Sequence, residues 1–224
     1  YSTSWISVLG QSLQAKSDLK GYHVDENWHD LVDLPFAFHV DSAFAKQTRA
    51  CFEEKGYQTK LIDYEGFPVD TGTIVADKLI NDGRLKTNML SCCVYSDYKD
   101  TKILGKLVAD TIATDTTATA VVCVSGLSGN YFTEEIDLRE DRFRSPADDE
   151  WNQRFIGFLT EGNYAAAEAL IPEYAKATKA DMGMKALVFA RGLMGEQGEA
   201  GKKAKIYGYG PIYGTGAMVA KLYG

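Results

Sequence analysis

Residues 118–129 of the chain read Ala-Thr-Ala-Val-Val-Cys-Val-Ser-Gly-Leu-Ser-Gly, an apolar run that passes directly into a loop of serine and glycine. The run is short and rich in valine, which predicts a buried strand over residues 118–124. Ligands of α/β proteins bind beyond the carboxyl ends of the sheet strands, so the loop at residues 125–129 is the first candidate for a functional site. A purely structural turn has the same local composition, and the segment alone does not separate the two interpretations.

Strand-like and helical segments alternate along the rest of the chain. Runs in which apolar residues recur with helical spacing are separated by short stretches rich in valine, isoleucine, leucine, cysteine and tyrosine. This alternation predicts an α/β fold, with a single domain over residues 1–224 and a central mixed β-sheet flanked by helices. The predicted strands are residues 1–8, 58–63, 88–95, 118–124, 204–209 and 217–223.

Capping residues mark the ends of the helices. Asp41 is a candidate N-cap and Gly56 a candidate stop, while Ser145 followed by Pro146 has the sequence of a helix start. The predicted helices are residues 41–55, 71–80 and 102–114, then two or three helices between Ser145 and about Leu193, followed by a loop over residues 195–201.

Composition excludes several classes of function. The chain has 24 basic and 31 acidic residues and a net charge of -7, which argues against nucleic acid and anionic membranes as partners. Its apolar runs are far shorter than the roughly 20 residues that span a bilayer. The four cysteines lack paired spacing, which favours reduced thiols and a cytoplasmic protein. The chain starts at Tyr1, inside a predicted strand, so we expect a natural N-terminal segment to precede it.

Several stretches share a pattern with a known family. They are Tyr-Ser-Thr-Ser-Trp at residues 1–5, Leu-Ser-Gly at residues 127–129 and Lys-Ile-Tyr-Gly-Tyr-Gly at residues 205–210. The turn Val-Asp-Thr-Gly-Thr-Ile at residues 69–74 and the glycine-rich residues 208–216 extend the match. Together they resemble the class III extradiol ring-cleaving dioxygenases. That resemblance implies the family's α/β fold and a chemistry based on Fe(II) held by two histidines and one carboxylate.

Three positions depart from the catalytic chains of that family. The resemblance assigns an iron-binding histidine to Ser4, a histidine that acts as general base to Gly129 and the carboxylate ligand to Lys205. A serine hydroxyl is a poor replacement for imidazole, glycine has no side chain and an ammonium group has no lone pair. We therefore predict that the three positions are vestigial and that the chain has no catalytic residue and no metal site. An ordinary strand end at Ser4 and a solvated basic edge at Lys205 are the structural alternatives.

The resemblance is strongest to the aminophenol-cleaving members of the family, on the basis of residues 21–28, 67–68 and 139–142. In those proteins a degenerate α chain is paired with an iron-bearing β chain. The resemblance implies that this chain is a non-catalytic subunit with a mainly stabilising role. It further implies an α2β2 complex with a related catalytic β subunit, which holds the Fe(II) while this chain holds no cofactor.

Two other interpretations stay open at this point. The chain could be a binding or regulatory module for an aromatic anion, with Trp5, Ser128 and Tyr131 lining a retained pocket beside the vestigial serine and lysine. A relocated metal site could involve His23 and His29. Against the second interpretation, a helix would place these two imidazoles roughly 120° apart, unlike the paired histidines of helical zinc sites.

Overall fold

The computed structural model describes residues 1–24, 33–64, 69–81, 84–199 and 201–222, with only the backbone described at residues 197–199. The chain divides into two compact units, residues 1–124 and residues 125–224. Each unit combines helices with paired strands, so the mixed α/β class predicted from the sequence is confirmed. The single domain over residues 1–224 stays a prediction.

The first unit contains most of the strands. In chain order its elements are β1 (Ser2–Ser7), β2 (Gln11–Gln14), β3 (Asp18–His23), β4 (Leu34–His39), α1 (Ser42–Glu54), β5 (Thr59–Ile62), α2 (Thr71–Ile80), β6 (Ser91–Cys93) and α3 (Tyr98–Ala113). The predicted helices over residues 41–55, 71–80 and 102–114 are confirmed as α1, α2 and α3, and the predicted strands over residues 1–8, 58–63 and 88–95 as β1, β5 and β6.

Two parallel strand pairs form the centre of the first unit, β1 with β6 and β2 with β5. An antiparallel bridge between Leu13 and Leu90 connects the two pairs. A parallel bridge between Ser2 and Val124 places Val124, the last residue of the unit, beside β1. The arrangement of strand directions is therefore mixed, as predicted. β3 and β4 form a separate antiparallel pair.

Apolar side chains from β1, from the β3/β4 pair and from α2 pack together in the first unit. The buried members of this cluster are Trp5, Leu19, Phe38, Val40, Ile62, Val69, Ile74 and Met89. α1 buries Ala45, Thr48 and Phe52, which lie on one stripe of the helix. As predicted, Asp41 caps this helix, because its carboxylate accepts the backbone N–H groups of Ala43 and Phe44.

The second unit consists of three helices and a hairpin. Its elements are α4 (Pro146–Glu161), α5 (Tyr164–Thr178), α6 (Lys185–Glu199), β7 (Lys205–Ile212) and β8 (Thr215–Lys221), with 3-10 turns at Leu138–Glu140 and Asp181–Met184. Ser145 caps α4 and Pro146 lies in its first turn, as predicted. Residues 184–192, which include the first half of α6, are all buried. None of the described helices is long and apolar enough to cross a membrane.

The strand predicted over residues 118–124 is wrong for most of its length. Only Val124 forms a bridge, and residues 118–122 are exposed. The N–H of Val124 donates to the carbonyl of Tyr1 at 2.9 Å, and the N–H of Thr3 donates to the carbonyl of Val124 at 3.0 Å. Residues 118–124 attach to β1 only through their last residue. Residues 118–120 are small or polar and have little apolar surface to bury.

Other differences come from residues that weaken the local signal. β2, β3 and β4 are not predicted from the sequence, since Pro35 and Gly21 disfavour strands and β2 is largely polar. The aromatic ring of Phe36 covers Gly21 and compensates for its missing side chain. The loop predicted over residues 195–201 is wrong in part, because α6 continues to Glu199 across an interruption at Gly195.

We expect the substitution Asp70→Ala to lower the free energy of unfolding by about 2 kcal/mol. The Asp70 carboxylate caps α2 by accepting the N–H of Thr73 at 3.0 Å, and it accepts the hydroxyls of Ser2 and Thr73, both at 2.6 Å. The substitution therefore removes the helix cap and a link between β1 and α2. Denaturation by urea measures the loss.

Asp97→Ala is the matched control, because Asp97 caps α3 through one hydrogen bond from the N–H of Asp100 at 2.7 Å. We expect it to cost about 1 kcal/mol. Equal losses in the two variants would show that the bond between Ser2 and Asp70 does not stabilise the fold.

Candidate functional site

Ser4 lies on β1 in the first unit, close to the start of α2. Its side chain is exposed, and a β-carbon built on Gly72 would approach the Ser4 hydroxyl to 3.1 Å. Asp70 caps the same helix and is bonded to the hydroxyl of Ser2. Ser4, the position that the resemblance assigns to an iron-binding histidine, is thus next to the first turn of α2, in a cluster of hydroxyl groups.

His23 reaches this turn as well. Its Nε2 lies 2.9 Å from the hydroxyl of Thr71, the first residue of α2. His29, the second imidazole of the metal cluster considered from the sequence, lies outside the described residues. From the sequence, His23 was considered only as part of a possible metal site with His29. Its contact with Thr71 was missed, because the two residues are 48 positions apart in the chain.

Trp5 points to the interior of the first unit. Because side chains alternate along a strand, the exposed Ser4 and the buried Trp5 lie on opposite faces of β1. Trp5 belongs to the apolar cluster of this unit. Its position is that of a packing residue.

The loop at residues 125–129 belongs to the second unit, where backbone hydrogen bonds hold it to β8. The N–H of Leu127 donates to the carbonyl of Gly216 at 2.9 Å, and the N–H of Gly216 donates to the carbonyl of Ser128 at 2.9 Å. A β-carbon on Gly216 would lie 2.7 Å from the Ser128 hydroxyl. Glycine at this position of β8 is what allows the loop to approach so closely.

The other side of the loop is held by the segment that follows α5. The N–H of Gly129 donates to the carbonyl of Thr178 at 2.9 Å, and the N–H of Asp181 donates to the carbonyl of Leu127 at 3.2 Å. The Asp181 carboxylate accepts the N–H of Gly126 at 3.1 Å and the hydroxyl of Ser125 at 2.9 Å. Every residue from 125 to 129 is therefore bonded to an element elsewhere in the second unit.

Gly129 has no room for a side chain. A β-carbon built on its backbone would lie 2.2 Å from the carbonyl oxygen of Lys179 and 3.3 Å from the carbonyl carbon of the same residue. Lys179 has the left-handed conformation, with φ of 51°. The position that the resemblance assigns to a catalytic histidine is thus closed by the main chain.

Ser128 is buried in a polar network between α4 and α5. Its hydroxyl oxygen accepts from the Asn152 amide nitrogen at 2.9 Å, and the Asn152 amide oxygen accepts the Tyr174 hydroxyl at 2.5 Å. The Tyr174 ring stacks on Phe155 at 4.9 Å between centroids. Burial is also the main cause that raises the pKa of Tyr174, so its hydroxyl stays protonated and donates.

Asp148 lies on the same face of α4, four residues before Asn152. Asp148 is only 2% exposed, and its carboxylate accepts two hydrogen bonds from the Asn130 amide, at 2.9 and 3.1 Å. Burial raises the pKa of Asp148, and the Asn130 amide and the charge of Lys179 offset this only in part. Asn130 directly follows the loop at residues 125–129, and the buried carboxylate of Asp148 holds its side chain in place.

Sequence reasoning missed Asp148, Asn152 and Tyr174. Asp148, Asn152, Phe155 and Leu159 recur with helical spacing on the buried face of α4. Two polar residues on an otherwise apolar stripe are the signal that could have identified this network, because buried polar groups are hydrogen-bonded.

The remaining candidate residues point to solvent. Tyr131 is 61% exposed, and Lys205 is exposed at the start of β7 with its ammonium 4.7 Å from the centre of the Tyr207 ring. In the second unit the structure thus brings Ser128 and Gly129 into one bonded loop and leaves Tyr131 and Lys205 at the surface.

The described residues do not supply the ligands that Fe(II) requires. Across residues 1–24, 33–64, 69–81, 84–199 and 201–222, no three side chains of histidine, cysteine, aspartate or glutamate come together as a metal site. At Ser4 and Lys205, the two positions that the resemblance assigns to iron ligands, stand a hydroxyl and an ammonium group. This donor set does not fit an iron ion.

Comparison with known proteins places the chain in a family. A family model described as the catalytic LigB subunit of aromatic ring-opening dioxygenase matches residues 11–220. The chain belongs to this dioxygenase family. The resemblance to extradiol dioxygenases seen in the sequence is therefore confirmed.

Two curated relatives from Pseudomonas sp. match the chain over 99% of its length. The chain is 34% identical to a 2-aminophenol 1,6-dioxygenase alpha subunit, of which it covers 81%, and 22% identical to a 2-aminophenol 1,6-dioxygenase beta subunit, of which it covers 75%. A crystal structure of the uncharacterized protein JW3007 from Escherichia coli K12 has the same fold, with a TM-score of 0.65 and 14% identity over 98% of this chain and 82% of that one.

We expect Gly129→Ala to lower the free energy of unfolding by about 2–3 kcal/mol. The new methyl group meets the Lys179 carbonyl at 2.2 Å, so the segment after α5 must move. Gly157→Ala is the control, because a β-carbon on this glycine of α4 meets nothing within 4 Å. The control is expected to stabilise the protein by about 0.5–1 kcal/mol. Urea denaturation compares both, and an unchanged Gly129→Ala variant would contradict the contact.

We expect Asp148→Asn to remove part of the dependence of stability on pH. A carboxyl group whose pKa is raised by folding stabilises the fold fully below its unfolded value of about 3.9, and that contribution is lost as pH rises through the folded-state pKa. The variant should therefore gain stability relative to the natural protein as pH rises from about 4 to 7.

Urea midpoints at several pH values measure this difference between the two proteins. Glu150→Gln is the matched control, because it removes an exposed carboxylate from the first turns of the same helix. A stability difference for Asp148→Asn that did not change with pH would contradict the proposed effect of burial.

Proposed function

We propose that this chain is the non-catalytic α subunit of a cytoplasmic complex of the 2-aminophenol 1,6-dioxygenase type. The complex opens an aminophenol ring with dioxygen and uses Fe(II) held by a related β subunit. This chain holds no cofactor, and its role is mainly to stabilise the catalytic partner. An α2β2 assembly is the stoichiometry that we propose.

The identities to the two named relatives support the assignment to the α subunit. Both match almost the whole chain, but the identity is 34% to the alpha subunit and 22% to the beta subunit. The printed names of the two relatives are those of the alpha and beta subunits of one enzyme, and this chain is similar to both. This similarity to both named subunits supports a complex of two related chains.

The absence of space for a side chain at Gly129 is the main structural support for the proposed non-catalytic role. If the loop had merely lost a histidine, the backbone would leave a space for that side chain. Instead the carbonyl of Lys179 occupies the place of the first side-chain atom. A group that takes the proton from an aromatic hydroxyl needs a titratable side chain, and position 129 cannot hold one without movement of the main chain.

Stabilisation of a partner is a sufficient reason for such a subunit. Association with the folded partner favours the folded state of both chains by mass action, whether or not this chain touches a substrate. The binding module for an aromatic anion, the second function considered from the sequence, gains no support from the burial of Trp5 or from the bond between Ser128 and Asn152.

Co-expression with a catalytic β subunit tests the proposal. Native mass spectrometry gives the assembly, elemental analysis gives the iron, and the rate of 2-aminophenol opening gives the activity. We expect this chain alone to lack both stoichiometric iron and activity, and the complex to contain iron in proportion to the β chain. Stoichiometric iron and ring opening in the isolated chain would contradict the proposal.

Variants of this chain sharpen the test. Ser4→Ala and Lys205→Glu remove or reverse the groups at two vestigial positions, and both residues are exposed. We expect the complex with either variant to keep its iron content and its ring-opening rate within about twofold. A loss of one hundredfold or more in either variant would show that the residue belongs to the catalytic machinery.

A further inference from the structure

The hairpin of β7 and β8 has two different faces. A β-carbon on Gly216 would lie 2.4 Å from the Asn152 amide nitrogen, and the Tyr209 hydroxyl donates to the Asp149 carboxylate at 2.6 Å. Both partners belong to α4, so Gly216 and Tyr209 lie on the face directed at that helix. Because side chains alternate along a strand, the opposite face, called the outer face below, carries the other residues. They are Lys205, Gly208, Gly210 and Ile212 on β7 and Thr215, Ala217, Val219 and Lys221 on β8.

Large apolar side chains of the outer face point to solvent. Ile212 is 62% exposed and Val219 is 66% exposed. Tyr207, the extra residue at the register shift between Ile206 and Gly208, is 59% exposed. The outer face is therefore an apolar sheet surface that the described residues leave uncovered.

Two glycines of this face have no reason within the chain. A β-carbon on Gly208 or Gly210 would meet nothing within 4 Å, and neither residue has a positive φ. The other hairpin glycines differ, since Gly214 has a φ of 91° and Gly216 is closed by Asn152. Glycine weakens the interior of a strand and is found there where another backbone approaches closely. The outer face is thus shaped for close contact with a second surface.

The open end of the hairpin is basic. Lys205 and Lys221 stand directly opposite each other in the register, and both side chains are exposed. Like charges directly opposite destabilise a strand pair. Lys202 and Lys203, just before β7, are exposed as well. This end of the hairpin therefore favours a contact with negative charge.

The closed end lies beside residues 133–138, called the acidic segment below. The Tyr213 hydroxyl donates to the carbonyl of Glu134 at 2.9 Å. The segment contains Glu134, Glu135 and Asp137, all exposed, and no basic residue. The hairpin thus has opposite charge at its two ends.

Three arginines follow the acidic segment. The guanidinium carbons of Arg142 and Arg144 lie 4.9 and 5.4 Å from the centre of the buried Phe132 ring. Residues 139–144 contain these three arginines and two acids, a charge of +1, against three acids in the acidic segment. The closed end therefore keeps a net negative charge.

We propose that the outer face binds a second copy of this chain, with the two hairpins packed face to face around a two-fold axis. A two-fold contact uses the same surface of both chains. β7 has eight residues and is about 25 Å long, so the axis places the lysine end of each hairpin against the acidic segment of the other copy. One hairpin supplies both charges that the contact needs, and Gly208 and Gly210 let the two backbones approach between them.

The proposed contact is small. The rise along a strand and the spacing between strands give an outer face about 25 Å long and about 10 Å wide. This is well below the roughly 800 Å² per partner of a standard interface, so we expect a dissociation constant on the order of 10 μM. The proposal does not rest on the ring-opening function proposed above, since loss of the contact changes the mass of an assembly and not the chemistry of its iron.

Sedimentation equilibrium of the purified chain at about 1 to 200 μM measures the association. We expect a monomer–dimer equilibrium whose dissociation constant rises at least about fivefold between about 50 and 500 mM NaCl, because salt screens the charged ends. A chain that stays monomeric over this range, including one whose hairpin binds only a β subunit, would overturn the proposal. A dimer that does not respond to salt would overturn it as well.

Two charge reversals test the two-fold arrangement. Lys221→Glu and Glu135→Lys should each weaken the dimer at least about tenfold. An equal mixture of the two variants should recover the natural affinity, because a mixed dimer has one natural contact and one fully reversed contact. Lys176→Glu is the matched control, since it makes the same change of charge at an exposed position of α5. A mixture that does not recover would overturn the proposal.

Gly210→Val tests the close approach of the two backbones by a separate route. The valine side chain meets nothing within the chain and favours a strand, so urea denaturation of the dilute monomer should show an increased stability. The same variant should weaken the dimer at least about tenfold, because the new side chain separates the two hairpins. Gly157→Ala, on α4 and equally open, should leave the association unchanged. A Gly210→Val variant that dimerises as well as the natural protein would overturn the proposed contact.

Discussion

The close approach of the Lys179 carbonyl to the backbone of Gly129 is the constraint on which the second unit depends. The contact requires a glycine at position 129, and Lys179 itself has a left-handed backbone conformation. Left-handed backbone at a residue other than glycine costs about 1–2 kcal/mol, and Met182 and Met184 in the same segment share it. The hydrogen bonds that the segment makes to residues 125–129 offset this cost.

We propose that the loop at residues 125–129, to which the family resemblance assigns proton transfer, has a structural role in this chain. Its serine connects to Asn152 and Tyr174, and its backbone connects to β8 and to the segment after α5. A fully bonded polar network gives rigidity, whereas a catalytic base needs a side chain that is free to exchange a proton. We therefore propose that the same scaffold serves assembly in this chain and chemistry in its partner.

Several parts of the fold could be predicted because local chemistry determines them. Asp41 and Ser145 are side-chain caps, and the helices that they begin lie where their sequences place them. The prediction that Ser4, Gly129 and Lys205 are vestigial rests on residue type alone, since a hydroxyl is a poor replacement for imidazole, glycine has no side chain that takes a proton and an ammonium group has no lone pair. The closure at Gly129 could not be predicted, because it arises from Lys179, which is 50 residues away in the sequence. The run at residues 118–124 was misjudged for a related reason, since only its last residue meets β1.

Diffraction at the iron absorption edge locates the iron, in crystals of this chain bound to a catalytic β subunit and grown anaerobically with Fe(II). We expect anomalous peaks in the β chains and none within ligand distance of Ser4 or Lys205. An iron peak held by side chains of this subunit would contradict this expectation.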